Sequence, residues 1–203
     1  MITAIPCEAV PGSLNFRRLG SIARIQVDLR YAGPNNFVGR DLYSPLDCAW
    51  LHRHAAEGLE KSLAWLFSQR AELSLLVLDA LRPQRVQEQL WAALQGTNLQ
   101  MYLASPLRGS IHSFGMAVDI TLIDQQGHEL DMGTTFDDLT GLSHPARESE
   151  FLASGELTEQ QVDNRRLLRE AMKHGGFAGI KTEWWHFDCG DRNVVRGTYP
   201  RVI

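Results

Sequence analysis

The sequence predicts an α+β fold, with a single domain over residues 1–203 and a central, mostly antiparallel sheet flanked by helices. Three observations support this prediction. Residues 73–78 form a short, nearly continuous apolar run, which is typical of a strand covered on both faces. Longer segments carry apolar residues at helical spacing between start and stop signals. No repeat, low-complexity tract or linker divides the chain, and its 203 residues suit one domain.

In the first half of the chain, residues 22–27 are predicted to form a strand, followed by an irregular segment. Ser44-Pro45-Leu46-Asp47 carries a hydroxyl N-cap, a proline at the first helical position and an acid, which together predict the start of a first helix. The strand at 73–78 comes next, and a second helix is predicted over residues 83–95. This order places Asp79 and Arg82 in a strand-to-helix loop.

In the second half, residues 117–122 alternate and are β-branched, which predicts a strand, and residues 128–132 are predicted to return as its hairpin partner. Thr158-Glu159-Gln160-Gln161 is a capping box, and we expect a third helix from there to Gly175-Gly176. A last strand pair is predicted over residues 177–180 and 184–188.

Composition and charge exclude several classes of protein. Hydrophobic residues make up 44% of the chain and charged residues 22%, which is typical of a globular protein. A net charge of −4 gives no general attraction to polyanions, so we expect neither nucleic-acid nor membrane partners. The absence of a long apolar run and of a secretory signal predicts a cytoplasmic protein. Cys7, Cys48 and Cys189 are odd in number and far apart in sequence, which predicts reduced thiols.

Two segments hold the residue types of a mononuclear zinc site. His112 and Asp119 lie in the first, and Glu183 and His186 in the second. A catalytic zinc typically takes three protein ligands and leaves a position for water, while a further carboxylate takes a proton from that water. On one unbroken strand, His112 and Asp119 would point to opposite faces, so we expect a bend at Gly115 to bring them together.

On one unbroken strand, the side chains of Glu183 and His186 would also point to opposite faces. A glutamate on a loop beside a histidine on a strand would bring the two together, and a helix would do so at spacing i, i+3. The Trp-Trp and His-Phe pairs favour extended structure. A simple ion pair beside a tryptophan-rich core is the alternative.

Arg82 is the other candidate for chemistry. A guanidinium at the end of a central strand is well placed to donate to a developing oxyanion. The alternative is a salt bridge to Asp79, and both can hold if Asp79 orients the arginine.

Taken together, the pattern Ser-x-His-x-x-Gly-x-Ala-x-Asp at 110–119 and Glu-x-x-His at 183–186 resembles the VanX-type D-alanyl-D-alanine dipeptidases. These are zinc enzymes related to D,D-carboxypeptidases, and their fold also appears in the hedgehog signalling domain. The resemblance covers nearly the whole chain. It includes Asp28-Leu29-Arg30-Tyr31, Asp79-Ala80-Leu81-Arg82-Pro83 and Met132-Gly133-Thr134-Thr135-Phe136-Asp137. Phe114 departs from at least one member, which has a basic residue at this point.

The resemblance implies a role for each matching residue. His112, Asp119 and His186 look like the ligands of one zinc ion per subunit. Glu183 looks like the general base, and Arg82 like the residue that stabilises the tetrahedral intermediate. Asp137 matches a carboxylate that holds the free ammonium of the substrate, and Ser110 is expected to help bind a substrate terminus.

The function implied by the resemblance is zinc-dependent hydrolysis of the small dipeptide D-Ala-D-Ala to two D-alanines. The sequence leaves two alternatives open. One is a zinc D,D-carboxypeptidase or endopeptidase that acts on cell-wall peptides. The other is a catalytically silent, zinc-containing binding module.

Overall fold

The computed structural model describes residues 4–203 and has five α-helices and nine strands in that range. The helices are α1 (Arg53–Gln69), α2 (Gln84–Ala93), α3 (Glu148–Ser154), α4 (Glu159–His174) and α5 (Arg192–Thr198). The strands are β1 (Ala4–Ile5), β2 (Phe16–Arg18), β3 (Ile25–Val27), β4 (Trp50–His52), β5 (Ser74–Asp79), β6 (Ala117–Ile123), β7 (Phe177–Gly179), β8 (His186–Cys189) and β9 (Arg201–Val202). Within these residues, every helix is too short or too polar to span a membrane.

The central sheet has five strands in the order β3-β5-β6-β8-β7. Only the β3–β5 pair is parallel, and the other three pairs are antiparallel. Two small sheets, a parallel β1–β9 pair and an antiparallel β2–β4 pair, complete the strand pairing. The predicted α+β class with a mostly antiparallel sheet is therefore confirmed.

The alternation of side chains along the strands separates the core from the site. On β6, Val118, Ile120 and Leu122 pack into the main core, which also contains buried residues of α1 and α4. Asp119 alternates with them and therefore points to the face of the sheet away from these two helices. Both faces of β5 are covered, because Leu75 belongs to the main core and Leu76 to a smaller cluster on the other side.

Most of the predicted elements are present with small shifts at their ends. The second helix and the strands at 74–79, 117–123, 177–179 and 186–189 begin and end within two residues of the predicted positions. The capping box before α4 is formed. The Thr158 side chain accepts from the backbone N–H of Gln161, and the Gln161 side chain accepts from the backbone N–H of Thr158. All three cysteines are free and buried, as predicted.

The predicted start of the first helix at Ser44-Pro45-Leu46-Asp47 is wrong. These residues form turns, in which Asp41 Oδ1 accepts from the backbone of Tyr43 and Ser44. Residues 50–52 pair with β2, and α1 begins only at Arg53, with a nitrogen of the His52 ring as its cap. Pairing between segments distant in sequence overrides the local capping signal here.

The predicted hairpin partner at residues 128–132 is also wrong as a strand. Its contact with β6 is a single bridge between Ile123 and Glu129. Asp124 Oδ1 accepts from the backbone of Gln126 and His128, and this local turn replaces a regular ladder.

Candidate metal centre and active site

The structure brings His112, Asp119 and His186 together, and their ligand-type atoms all lie within 4.8 Å of one another. His112 and Asp119 are fully or almost fully buried. These are the three residues that the sequence predicts as metal ligands, and their convergence is confirmed.

Strand register and one glycine explain this convergence. Asp119 on β6 lies directly opposite His186 on β8. His112 belongs to a short 3-10 helix, Ile111–Phe114, which ends at Gly115 with φ +63°. A Cβ at Gly115 would lie 2.7 Å from the backbone nitrogen of His52, so the turn requires glycine for both conformation and space. The predicted bend is therefore present at Gly115.

Hydrogen bonds leave one nitrogen of each imidazole free to face the other ligands. His112 Nδ1 donates to the carbonyl of Ala80 at 2.8 Å, which leaves Nε2. His186 Nε2 lies 2.9 Å from Asp188 Oδ1, which leaves Nδ1. A second partner of this kind fixes the orientation of a metal-binding ring.

The distances between the ligand atoms fit a tetrahedral zinc ion. Zn–N and Zn–O bonds of roughly 2.0–2.1 Å separate tetrahedral ligands by about 3.3 Å. Here Nδ1 of His186 lies 2.9 Å from Oδ1 of Asp119 and 3.1 Å from Nε2 of His112. The third edge, from Nε2 of His112 to Oδ1 of Asp119, is 3.3 Å. Two imidazoles and one carboxylate are also an ordinary zinc donor set.

Arg82 is buried beside these ligands and is held on several sides. Its Nε and Nη2 donate to Asp79 Oδ2 at 2.8 and 2.6 Å, and Nη1 donates to Gln87 Oε1 at 3.1 Å. Nη2 also lies 3.2 Å from Asp119 Oδ2, the carboxylate oxygen that does not face the imidazoles. Tyr43 donates in turn to Asp79. The salt bridge with Asp79 is thus present, and it fixes the guanidinium at the edge of the cleft.

Glu183 lies on the loop before β8, and His186 is the first residue of that strand, as predicted. Among residues 4–203, no hydrogen bond or ion pair engages the Glu183 carboxylate. Burial raises the pKa of Glu183 to about 7, and the charge of Asp119 adds to this effect. A carboxylate with such a pKa is suited to exchange protons at neutral pH.

Asp137 lies in the same cleft and is only partly satisfied. Its Oδ1 accepts from the Tyr31 hydroxyl at 3.0 Å, whereas its Oδ2 is buried with no hydrogen-bond partner among the described residues. Burial raises the pKa of Asp137 to about 8, and the nearby Asp119 adds to the effect. A buried carboxylate oxygen without a donor is a site for a cation or a hydrogen-bond donor.

A cleft of about 860 Å³ connects these groups, and Ser110 lies in its wall. Ser110 is buried and precedes the 3-10 helix that carries His112. Phe114 does not line the cleft. It is fully buried in the main core, and the Arg201 guanidinium lies 5.4 Å from its ring centroid. The departure from a basic residue at this position therefore changes the core and not the cleft wall.

Sequence reasoning missed three groups that support the site. Asp188 holds the ring of His186, Gln87 holds Arg82, and Tyr31 links Asp137 to the arginine, with its ring 5.0 Å from the guanidinium carbon. A signal for Asp188 was available, because His186 and Asp188 are two apart on a strand and share a face. Gln87 and Tyr31 act across distances in sequence that show no local pattern.

The cleft holds two imidazoles and a carboxylate, a fixed arginine, and a glutamate with no partner in the described part of the chain. This is the arrangement of a metal-dependent hydrolase. The chain belongs to the M15 peptidase family, whose profile, described as D-Ala-D-Ala dipeptidase, matches residues 14–203. It is therefore a metallopeptidase, and the alternative of a silent binding module is not supported.

Several characterised proteins are similar to this chain over most of its length. A D-alanyl-D-alanine dipeptidase of Escherichia coli is 38% identical over 164 residues, which cover 81% of this chain and 78% of the relative. A D-alanyl-D-alanine dipeptidase of Enterococcus faecium is 32% identical over 191 residues, with 82% and 87% covered. Among solved structures, the LdcB LD-carboxypeptidase matches with a TM-score of 0.49 and 14% identity, covering 97% of this chain and 78% of that protein.

Proposed function

We propose that this protein hydrolyses the free dipeptide D-Ala-D-Ala to two D-alanines, with one zinc ion held by His112, Asp119 and His186. The observation that carries this proposal is the buried Oδ2 of Asp137, which has no hydrogen-bond partner among residues 4–203 and lies in the same cleft as the metal-ligand set. A free dipeptide offers an ammonium group to this oxygen, whereas an internal peptide bond of a polymer offers no such charge. We infer the D,D-stereochemistry of the substrate from the similar proteins, which are D-alanyl-D-alanine dipeptidases.

Zinc in this site would polarise the scissile carbonyl and lower the pKa of a water molecule. The chain's own residues supply the remaining chemistry. The Glu183 carboxylate accepts a proton from the attacking water and later delivers it to the leaving amine. Arg82, held by Asp79, donates to the oxygen on which negative charge develops. No covalent intermediate with the protein is needed.

Asp137 and Tyr31 position the substrate. The ammonium of the substrate donates to Oδ2 of Asp137, while the Tyr31 hydroxyl keeps Oδ1 occupied and fixes the carboxylate. Binding the ammonium at a fixed point sets which carbonyl lies next to the metal ligands. The three free cysteines are consistent with the cytoplasm, the location that we propose.

The volume of the cleft supports one second candidate. About 860 Å³ is more than a dipeptide needs and is in the range of sites for larger ligands. A carboxypeptidase that removes D-alanine from longer wall peptides would use this extra space.

A substrate panel separates the two activities. Release of D-alanine is measured with zinc-loaded protein on D-Ala-D-Ala, N-acetyl-D-Ala-D-Ala and L-Ala-L-Ala. The dipeptidase proposal predicts hydrolysis of D-Ala-D-Ala alone. Equal or faster cleavage of the acetylated substrate would favour the carboxypeptidase, and no cleavage of either D,D-compound would contradict both.

A further inference from the structure

Three arginines, Arg108, Arg192 and Arg196, lie in the wall of the active-site cleft together with Ser110. The mechanism described above uses none of them. Arg192 and Arg196 lie about one turn apart on α5, and Arg196 contacts the carbonyl of Gly109, the residue after Arg108. The three arginines therefore form one basic region of the cleft wall.

The three arginines differ in whether their charge is balanced. Arg192 Nε donates to Asp188 Oδ2 at 2.5 Å, so its charge is paired. Arg108 and Arg196 form no ion pair with an acidic residue among residues 4–203. The acid Asp191 also lines the cleft, but its Oδ1 accepts from two backbone amides at the start of α5. Arg108 and Arg196 thus lack an anionic partner within the described part of the chain, as does Lys181, an exposed lysine of the same cleft wall.

Arg196 is held against the backbone segment that leads to the metal ligand His112. Its Nε and Nη2 both donate to the carbonyl of Gly109 at 3.2 Å. Gly109 directly precedes Ser110, and His112 follows two residues later. Burial lowers the pKa of Arg196, and the neighbouring guanidinium groups of Arg108 and Arg192 add to this effect. An anion bound beside Arg196 would relieve this repulsion.

A dipeptide places its carboxylate one residue beyond the scissile carbonyl, a few ångströms away. When the ammonium of an extended dipeptide is at Asp137 and its scissile carbonyl is at the metal ligands, the carboxylate lies on the opposite side of that carbonyl from the ammonium. Arg196 is anchored one residue from Ser110 on that stretch of backbone, and a guanidinium is the side chain best matched to a carboxylate.

We propose that Arg196, assisted by Arg108, binds the free C-terminal carboxylate of the substrate and so selects peptides with an unblocked C-terminus. This inference rests on the proposed function. Together with Asp137, it gives the cleft a fixed charge at each end of a zwitterionic dipeptide. Peptides with an amidated or extended C-terminus lose this contact.

The test compares D-Ala-D-Ala with D-Ala-D-alaninamide on zinc-loaded wild type, R196Q and R196K. The contact lies outside the bond that breaks, so its loss is expected to raise KM more than it lowers kcat. R196Q should raise KM for D-Ala-D-Ala by about 10–100-fold, while kcat/KM for the amide changes by less than about threefold. R196K keeps the charge and should recover part of the loss. R108Q should show the same pattern to a smaller extent.

R201Q is the matched control. Arg201 also donates to the backbone of this segment, from Nη2 to the carbonyl of Arg108 at 3.1 Å, but it does not line the cleft. If Arg196 merely supports the loop, R201Q and R196Q will impair the acid and the amide equally, and the proposal is overturned. An unchanged preference for acid over amide in R196Q also overturns it. Failure of wild type to hydrolyse D-Ala-D-Ala is a different result, because it refutes the proposed function and this inference with it.

Discussion

Replacement of Asp137 by asparagine should stabilise the metal-free protein at alkaline pH and at the same time weaken substrate binding. One oxygen of the native carboxylate is buried with no hydrogen-bond partner among the described residues, which lowers the stability of the protein when no ligand is bound there. Asparagine keeps the shape and tolerates the left-handed backbone at this position, where φ is +62°. The substitution therefore removes the charge with little change in backbone geometry.

The pKa of Asp137, raised by burial from 3.8 to about 8, sets the size and the pH range of the effect. Between these values the folded chain retains a proton that the unfolded chain has released. The stability from this group is therefore fully present below about pH 4 and is lost as the pH rises through about 8. At about 1.4 kcal/mol per pKa unit, the upper bound is about 6 kcal/mol. Solvent relaxation around a partly buried side chain reduces this, and we expect about 2–3 kcal/mol.

The assay is urea unfolding of the metal-free wild type and D137N at pH 4.5 and pH 8.5. D137N should gain stability over wild type at pH 8.5 and lose most of that gain at pH 4.5. The control is D163N, since the Asp163 side chain is 58% exposed and its ion-pair partner Arg166 is exposed as well. A stability difference that is equal at the two pH values, or that favours wild type at pH 8.5, would refute the reasoning.

Three further substitutions test other parts of the site. E183Q should bind one zinc ion per chain and lose about 10²–10⁴-fold in kcat, because proton transfer is removed and the ligands are retained. D188N should weaken zinc binding by about 10–100-fold in a competition titration with a chelator, because the ring of His186 loses its fixed partner. G115A should lower the free energy of unfolding by about 2–4 kcal/mol in urea, because the new methyl group would meet the backbone of His52.

Each of these expectations has a clear contrary result. Activity of E183Q within tenfold of wild type would remove Glu183 from proton transfer. Zinc affinity unchanged in D188N would mean that the carboxylate does not orient the ring. Wild-type stability of G115A would show that the turn before β6 tolerates a side chain, contrary to its positive φ of 63°.

Local patterns predicted the fold well where they agreed with burial. The apolar run that became β5 and the capping box before α4 have a physical cause within a few residues, and both lie where expected. Ser44-Pro45 carries an equally good capping signal, yet its segment forms turns because residues 50–52 pair with a strand more than 30 positions earlier. The residues at the predicted helix start contain no signal for this distant strand pairing, so the local sequence could not reveal it.

The candidate site divides in the same way. The alternation of side chains along a strand and the conformational freedom of Gly115 predicted that His112 and Asp119 converge, and the structure brings both together with His186. No spacing rule indicated that Tyr31 would hold Asp137 across 106 residues. The register of the central strands could not be predicted from the sequence either. A shift in the β5–β6 pairing between Val77 and Asp79 places Asp79 opposite Asp119.

The most direct test of a zinc D,D-dipeptidase is hydrolysis of D-Ala-D-Ala during a zinc titration of chelator-stripped protein. We predict no D-alanine release without metal, a linear rise in rate with added zinc, and a plateau at one equivalent per chain. H186A should bind zinc far more weakly and show no such plateau. Full activity of the stripped protein, or a protein that holds one zinc per chain without cleaving D-Ala-D-Ala, would contradict the account.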